Sequence, residues 1–447
     1  MTEKTAKGPA FEWWMFSFIA AGAGWSAFIS LLIPPYITES TGNAADAGIV
    51  MAIISLAAVM GPVLGGLADK YRAHRLVLSL GVVGLALGFV AYAVSAESNA
   101  ILALDAILLG VSIAAVNSEG PVFVIGAGLS QALQARRLTV LNLLQPVGQV
   151  LGGVMMAAAA SLDFSTRFWL AAGFILICAV VTWFASASPA KRILLPEDKA
   201  DEDLPDQKKS FGLKQVLISN FGLVLVVLTL SSMGNNGINA QIANILPNVY
   251  GMDQATTSGL ISLAGLLNIG LFIVAGRWLA SKGGMTVFTA GNVIRFVGAL
   301  GMAAIGMVAK SPILIAAAFM QILYQSNPFV RLTQPVVAMR FATIPAGQAS
   351  GWVIAAAAAG SFLGSLIGGF LANSVGYNAI NWMAAIAVGA AVLLLFFGLW
   401  PAERKKLAEE SAAAWARTGG PCSDCQSLVG MASSRITGLP VARQSLP

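Results

Sequence analysis

Residues 65–75 read GGLADKYRAHR, a segment in which an acid and several basic residues separate two long apolar runs. The apolar runs cover about residues 47–68 and 76–95. Each is close to the roughly 20 residues that an α-helix needs to cross the hydrocarbon core of a membrane. The segment therefore predicts a short polar loop between two membrane-spanning helices, with its basic residues at one membrane surface.

The rest of the chain repeats this pattern of apolar runs and short polar loops. Of its 447 residues, 57% are hydrophobic and only 10% are charged, whereas soluble domains carry roughly 25% charged residues. The composition and the run lengths predict an all-α integral membrane protein of twelve transmembrane helices in two pseudo-symmetric six-helix bundles. The predicted spans are approximately 11–37, 47–68, 76–95, 101–129, 138–162, 168–187, 216–246, 259–279, 285–308, 313–339, 347–374 and 380–400.

The polar segments divide the chain into five parts. We expect a cytoplasmic N-terminus over 1–10, bundles over 11–187 and 216–400, a cytoplasmic linker over 188–215 and a disordered cytoplasmic tail over 401–447. The tail holds Cys422 and Cys425, but with His74 as the only histidine the set of zinc ligands is incomplete. The sequence predicts neither a metal nor a cofactor.

The loop charges predict an orientation. Of the 26 lysines and arginines, 22 fall on the side of the two termini, while only Arg167 and Lys310 fall on the other. Cytoplasmic loops carry such an excess of basic residues. We therefore expect both termini in the cytoplasm and the protein in a plasma membrane, the inner membrane if the cell is bacterial. The positive charge follows the loops, so no nucleic-acid partner is expected.

The two halves of the chain resemble one another at a nearly constant spacing. Gly65 and Asp69 match Gly276 and Ala280, an offset of 211 residues, since 276 − 65 = 211. The glycines of the fifth span match those of the eleventh at 212. Transporters are commonly built from such repeats, with the substrate site between them.

The loop quoted at the start resembles the signature loop of the major facilitator superfamily: a glycine, three residues, an aspartate, a basic residue and then a basic cluster. The resemblance implies that the first, fourth, seventh and tenth spans line a central cavity. It also implies that Asp69 latches onto the start of the eleventh span and stabilises the outward-facing state. Arg72 stands where the family usually has a second glycine, and Ala280 replaces the acid in the second copy, which suggests a one-sided latch. The residues of the predicted conformational latch are Gly65, Asp69, Lys70, Arg72 and Arg75.

Ionisable residues inside the spans are costly in lipid and are therefore candidates for function. Asp105, near the end of its span, can extend to water, and Arg295 allows either a structural or a substrate role. Glu119 and Arg331 are separated by 212 residues, the repeat offset, so pseudo-symmetry places them opposite each other. We expect them to form either a gate that closes the cytoplasmic side or a proton-accepting carboxylate beside an anion-binding guanidinium. A permanently buried pair that only aligns two helices is the structural alternative.

Amide side chains form stripes on single faces of the seventh and tenth spans. Such groups need polar partners in lipid, either one another or a ligand. We favour a ligand here, and packing between helices for the fifth-span amides Asn142, Gln145 and Gln149. The predicted substrate-binding residues are Trp25, Asn235, Asn236, Asn239, Tyr324, Asn327, Arg331 and Gln334.

These features predict a secondary active transporter that moves a small polar or anionic organic solute by alternating access, as a proton-coupled symporter and a monomer. No phosphate-binding loop is present to use ATP, and no nucleophile, base and orienting group converge, so an enzyme is not expected. Two alternatives stay open on the same scaffold. One is a non-transporting receptor or assembly factor, which an apolar cavity would distinguish from a transporter. The other is a flippase for an anionic lipid.

Overall fold

The protein is an array of long helices. The computed structural model describes residues 9–94, 99–193, 218–308, 312–342, 344 and 346–418. Twelve helices in this part of the chain are long and apolar enough to cross a membrane, which confirms the predicted fold class. They are α1 (Trp13–Thr41), α2 (Ala44–Tyr71), α3 (His74–Val94), α4 (Ile101–Ile125), α5 (Ala132–Ala158), α6 (Phe164–Ala185), α7 (Asn220–Tyr250), α8 (Gln254–Lys282), α9 (Gly284–Ile305), α10 (Ile313–Phe341), α11 (Gln348–Ser374) and α12 (Asn378–Ala413).

Polar side chains at the loop ends set where several helices begin. Asp163 accepts a hydrogen bond from the Thr166 backbone N–H at the start of α6. Asp253 does the same for the Thr256 N–H at the start of α8. A carboxylate at this position satisfies a backbone donor that the helix itself cannot. Hydrogen bonds from Thr256 hold the pKa of Asp253 below its usual range.

Glycines allow the helices around the centre to approach closely. A Cβ on Gly148 of α5 would lie 2.1 Å from the Ile19 carbonyl oxygen of α1. In the second half, a Cβ on Gly364 of α11 would lie 2.1 Å from the Met233 carbonyl oxygen of α7. Small residues at such crossings let backbones touch in lipid, where packing replaces the hydrophobic effect as the cause of association.

The halves pack tightly at the end of the bundle away from the termini. There α2 crosses α11, and a Cβ on Gly48 would lie 2.5 Å from the Gly369 Cα. On the same side, Gln241 donates to the Ala44 carbonyl at 3.1 Å and Gln254 donates to the Leu31 carbonyl at 3.1 Å. These contacts close this end of the bundle.

The polar segments agree only in part with the predicted divisions. The linker is described as far as residue 193, with a short helix over Ala187–Ala190. The tail departs from the expected disorder over its first part, because a helix runs through Trp400–Thr418. Cys422 and Cys425 lie outside the described residues. By compactness the chain divides into Met1–Leu393 and Leu394–Pro447.

Candidate functional site

A central cavity of about 330 Å³ lies between the two halves. This is at the small end of the range of ligand-binding cavities, roughly 300–1,000 Å³. Its lining comes from both halves, with α1, α2, α4 and α5 on one side and α7 to α11 on the other. All eight residues that the sequence analysis assigned to a substrate site lie in this lining: Trp25, Asn235, Asn236, Asn239, Tyr324, Asn327, Arg331 and Gln334.

Trp25 occupies a local irregularity of α1. Residues Gly24–Ile29 form a π-helical turn, and the Ser30 hydroxyl donates to the Trp25 carbonyl at 3.2 Å. Such a turn inserts extra backbone into an α-helix and is frequent at functional sites. Here it lies where Trp25 meets the cavity.

Arg331 faces the cavity from α10. Its side chain is exposed, and its Nη1 donates to Gln145 Oε1 of α5 at 3.2 Å. Gln145 in turn donates to Asn117 Oδ1 at 2.8 Å. The neutral amide of Gln145 orients the Arg331 guanidinium across the gap between the halves but does not compensate its charge.

Arg295 of α9 also lines the cavity, although its own side chain is only 3% exposed. Its guanidinium donates to Ser231 Oγ at 2.8 Å, to Ser326 Oγ at 3.0 Å and to Asn327 Oδ1 at 2.8 Å. These partners belong to α7 and α10 and are all neutral. The hydrogen bonds fix the side chain in place, and its charge remains unpaired.

The cavity is therefore strongly positive. Its lining contains two arginines and, among the described residues, no aspartate, glutamate, lysine or histidine. Because a guanidinium stays protonated in proteins, the lining carries two positive charges. In a poorly solvated interior such charges attract an anion far more strongly than they would in water.

The remaining polar lining is mostly amide and hydroxyl. Asn236 is held by Ser361, to whose hydroxyl it donates at 2.8 Å. Gln149 donates to the Ile261 carbonyl at 3.0 Å and so joins α5 to α8, whereas Asn142 bonds only its own helix and is exposed. Asn268 of α8 also lines the cavity, and the sequence analysis did not select it. No neighbouring polar residue one or two turns away marked it as part of a stripe.

Glu119 does not face Arg331, contrary to the pairing expected from the repeat offset. Its carboxylate is fully buried outside the cavity lining, and its Oε2 lies 2.9 Å from His74 Nδ1. The offset was taken from α2 and α5 and does not fix the rotation of α4. Because each residue turns a helix by about 100°, an error of two residues points a side chain the opposite way.

Asp69 and His74 of the signature loop thus form a row of three ionisable groups with Glu119 of α4. On the side opposite Glu119, His74 Nε2 lies 3.5 Å from Asp69 Oδ1. The Asp69 side chain is 64% exposed, whereas those of His74 and Glu119 are buried. The imidazole therefore lies between a carboxylate in contact with water and one that is buried between helices.

In this conformation Asp69 contacts His74, and the predicted latch to the start of α11 stays a prediction. The side chains of residues 345–347, just before α11, lie outside the described residues. Arg75 turns toward its own half, where it donates to the Trp183 carbonyl at 3.0 Å. Arg72 ends α2 with a left-handed φ of 52°, which explains why a glycine is usual at that position.

Solved structures of several transporters share the fold. The nucleoside transporter NupG aligns with a TM-score of 0.63 at 14% identity, covering 86% of this chain and 96% of that one. The D-xylose-proton symporter gives 0.66 at 13% identity, with 86% and 96% covered. An auto-inhibited peptide transporter of the POT family gives 0.65 at 14% identity, with 87% and 96% covered.

Sequence comparison adds the family. No curated protein sequence matches the chain. The sequence model of the Major Facilitator Superfamily matches residues 14–342, about three quarters of the chain. The matched stretch runs through ten helices, from α1 to the end of α10, and includes the signature loop. The chain belongs to the major facilitator superfamily.

Proposed function

We propose that this protein is a secondary active transporter that moves a small organic anion by alternating access. The observation that carries the proposal is the pair of guanidiniums, Arg295 and Arg331, in a cavity lined by no acidic group among the described residues. Arginine matches carboxylate and phosphate groups in geometry as well as charge. The polar lining also favours a transporter over a receptor built around an apolar cavity.

The conformation supports the same proposal. The bundle is closed at the end away from the termini, and the loop charges favour termini in the cytoplasm. We therefore assign the structure to the inward-facing state of a protein in the plasma membrane, the inner membrane if the cell is bacterial. Opening the opposite end requires Gly48 and Gly369 to separate and the terminus side to close.

Proton coupling is the proposed energy source, with Glu119 and His74 as the proton-binding pair. Their 2.9 Å contact can hold one proton between a carboxylate and an imidazole. Asp69 of α2 is the other charged group that faces the pair, and Arg75 points away to α6. The pair lies beside the loop that has to rearrange when the terminus side closes, so its protonation can bias that step.

The anion site is tested with purified protein and thermal shift. We expect carboxylates or phosphate monoesters to raise the melting temperature, while neutral analogues of the same size do not. Arg331→Gln should abolish the shift. The matched control is Arg340→Gln, on the same helix but outside the cavity lining. A neutral solute that stabilises both arginine variants equally would contradict the proposed anion site.

The proton site is tested in proteoliposomes, with the anion that gives the largest thermal shift as the transported solute. Glu119→Gln should abolish uptake driven by a pH gradient and preserve counterflow exchange, which needs no net proton movement. Asp105→Asn replaces the other buried carboxylate of α4 and is the control. If gradient-driven uptake persists in Glu119→Gln, this carboxylate has no part in coupling.

A further inference from the structure

Two asparagines in the cavity have a side-chain oxygen that accepts no hydrogen bond from the described residues. Asn268 Oδ1 and Asn235 Oδ1 are both buried and accept no hydrogen bond. Both residues line the cavity, from α8 and α7 respectively, and Asn268 as a whole is 4% exposed. A buried amide oxygen left without a donor costs about 1–3 kcal/mol, so two of them in one cavity require an explanation.

Two neighbouring asparagines of the same cavity have partners within the protein. Asn236 is held by Ser361, and Asn327 accepts from Arg295. The lining is therefore not generally short of partners. Among the described residues of the lining, the buried acceptors without a partner belong to Asn235 and Asn268, which points to a group that the solute brings.

The charge of the cavity limits what that group can be. A free amide oxygen accepts from a hydroxyl, an amide N–H or an ammonium group. An ammonium would enter a cavity that already carries the charges of Arg295 and Arg331, and like charges repel strongly in a poorly solvated site. A neutral donor is not repelled in this way, and a hydroxyl group is the simplest neutral donor.

We infer that the transported solute is a hydroxylated organic anion, whose anionic group binds Arg295 and Arg331 and whose hydroxyl groups donate to Asn235 and Asn268. This inference rests on the proposed function and makes it more specific. It assigns the arginines to affinity for anions and Asn268 to specificity among them. A hydrogen bond of this kind corresponds to a roughly tenfold preference for the hydroxylated solute.

The experiment compares pairs of anions that differ in their hydroxyl groups. The pairs are threonate with butyrate, and glycerol phosphate with propyl phosphate. Binding to the full-length protein is measured by concentration-dependent thermal shift, which yields an apparent affinity for each member. We expect the hydroxylated member of at least one pair to bind about tenfold more tightly to the unmodified protein.

Two variants connect the preference to the structure. Asn268→Leu should bring the affinity ratio close to one while the deoxy anion still binds. Asn142→Leu, an asparagine of α5 that bonds its own helix outside the cavity, should keep the ratio. A ratio that survives Asn268→Leu overturns the role of this residue, and equal binding of both members by the unmodified protein overturns the inference.

The outcomes also separate this inference from the proposed function. If butyrate and threonate bind equally well and Arg331→Gln abolishes both, the anion transporter stands and only the hydroxyl specificity is lost. If no anion of the panel binds, the proposed function fails and the inference fails with it. A melting temperature of unliganded Asn268→Leu close to that of the unmodified protein shows that the variant is folded.

Discussion

The two halves of the molecule treat their intramembrane charges differently. In the N-terminal half, Glu119 is sealed between helices and paired with His74. In the C-terminal half, Arg295 and Arg331 have only neutral partners and face the cavity. Buried charges are normally paired because desolvation is costly. The C-terminal half is therefore arranged to receive a charge from outside, whereas the N-terminal half pairs Glu119 with His74 close to the loop that must move.

The loops that join the second and third helices of each half also differ, both in charge and in backbone conformation. The first contains Asp69 and ends α2 with Arg72 at φ 52°. The second has Ala280 in place of the acid and Gly283 at φ 79°. Since 283 − 72 = 211, these two residues are equivalent in the repeat. The first loop thus keeps an acid and a strained backbone that its counterpart lacks, which makes it the better candidate for a conformational switch.

The largest expected effect comes from reversing the charge of the C-terminal half. Arg331→Glu places an acid in the cavity and should reduce anion uptake at least thirtyfold or so, as expected when one partner of a close charge pair is lost. Initial rates in proteoliposomes measure this. Arg340→Glu, outside the lining, should retain most of the activity. Equal rates in both variants would remove Arg331 from the anion site.

The next effect concerns the contact between the halves. Gly48→Val has to displace the Gly369 backbone, and such overpacking costs about 1–3 kcal/mol. The ratio of molecules open on the far side to molecules closed there should rise roughly five- to a hundredfold. Asn244 is a buried residue of α7 that donates to Gln241 at the same closed end. Labelling of a cysteine at this position, with Cys422 and Cys425 replaced by serine, should then rise. Gly270→Val, where a Cβ meets no atom within 4 Å, should leave the labelling unchanged.

The pairing in the N-terminal half is tested by removing one partner. His74→Ala leaves the Glu119 carboxylate buried without its hydrogen bond and should destabilise the protein by about 1–3 kcal/mol. Combining it with Glu119→Gln in a double-mutant cycle should show less than additive destabilisation, because the second change removes the stranded charge. Thermal unfolding in detergent measures both. Additive effects would show that the two groups are not energetically coupled.

A smaller effect comes from making the first loop resemble the second. Arg72→Gly removes the side chain from a left-handed backbone and should stabilise the protein by up to about 1 kcal/mol. Arg72→Ala removes the same charge but keeps a Cβ, so it should give no such gain. If alanine stabilises as much as glycine does, the benefit comes from the charge and not from the backbone.

The smallest effect is one in which the halves should behave alike. Asp163 and Asp253 cap α6 and α8, and hydrogen bonds from the threonines that follow lower the pKa of each. Because the folded pKa is depressed, each contributes stability above the unfolded pKa and loses it as the pH falls through the folded pKa. Asp253→Ala should therefore lower the melting temperature slightly at neutral pH. That difference should shrink in acid, and a difference that grows there would contradict capping by the ionised form.

Much of the site could be predicted because membrane helices follow simple rules. The stripes on α7 and α10 were visible because side chains three and four residues apart share a face. No other polar residue lies one or two turns from Asn268 on α8, so no periodic pattern revealed it. The partner of Glu119 depended on the rotation of α4 about its axis, and a repeat offset measured on other helices does not contain that angle.

By itself, the sequence determined the twelve spans and the family, because lipid requires long apolar helices and the signature loop combines residue types at fixed spacing. It also identified the arginines as unusual, since charge in a span is costly wherever the side chain points. Only the tertiary structure decided which charges meet. It brought Arg295 into the cavity, paired Glu119 with His74 and left the side-chain oxygens of two asparagines without a donor, because these contacts depend on the rotation and close approach of whole helices.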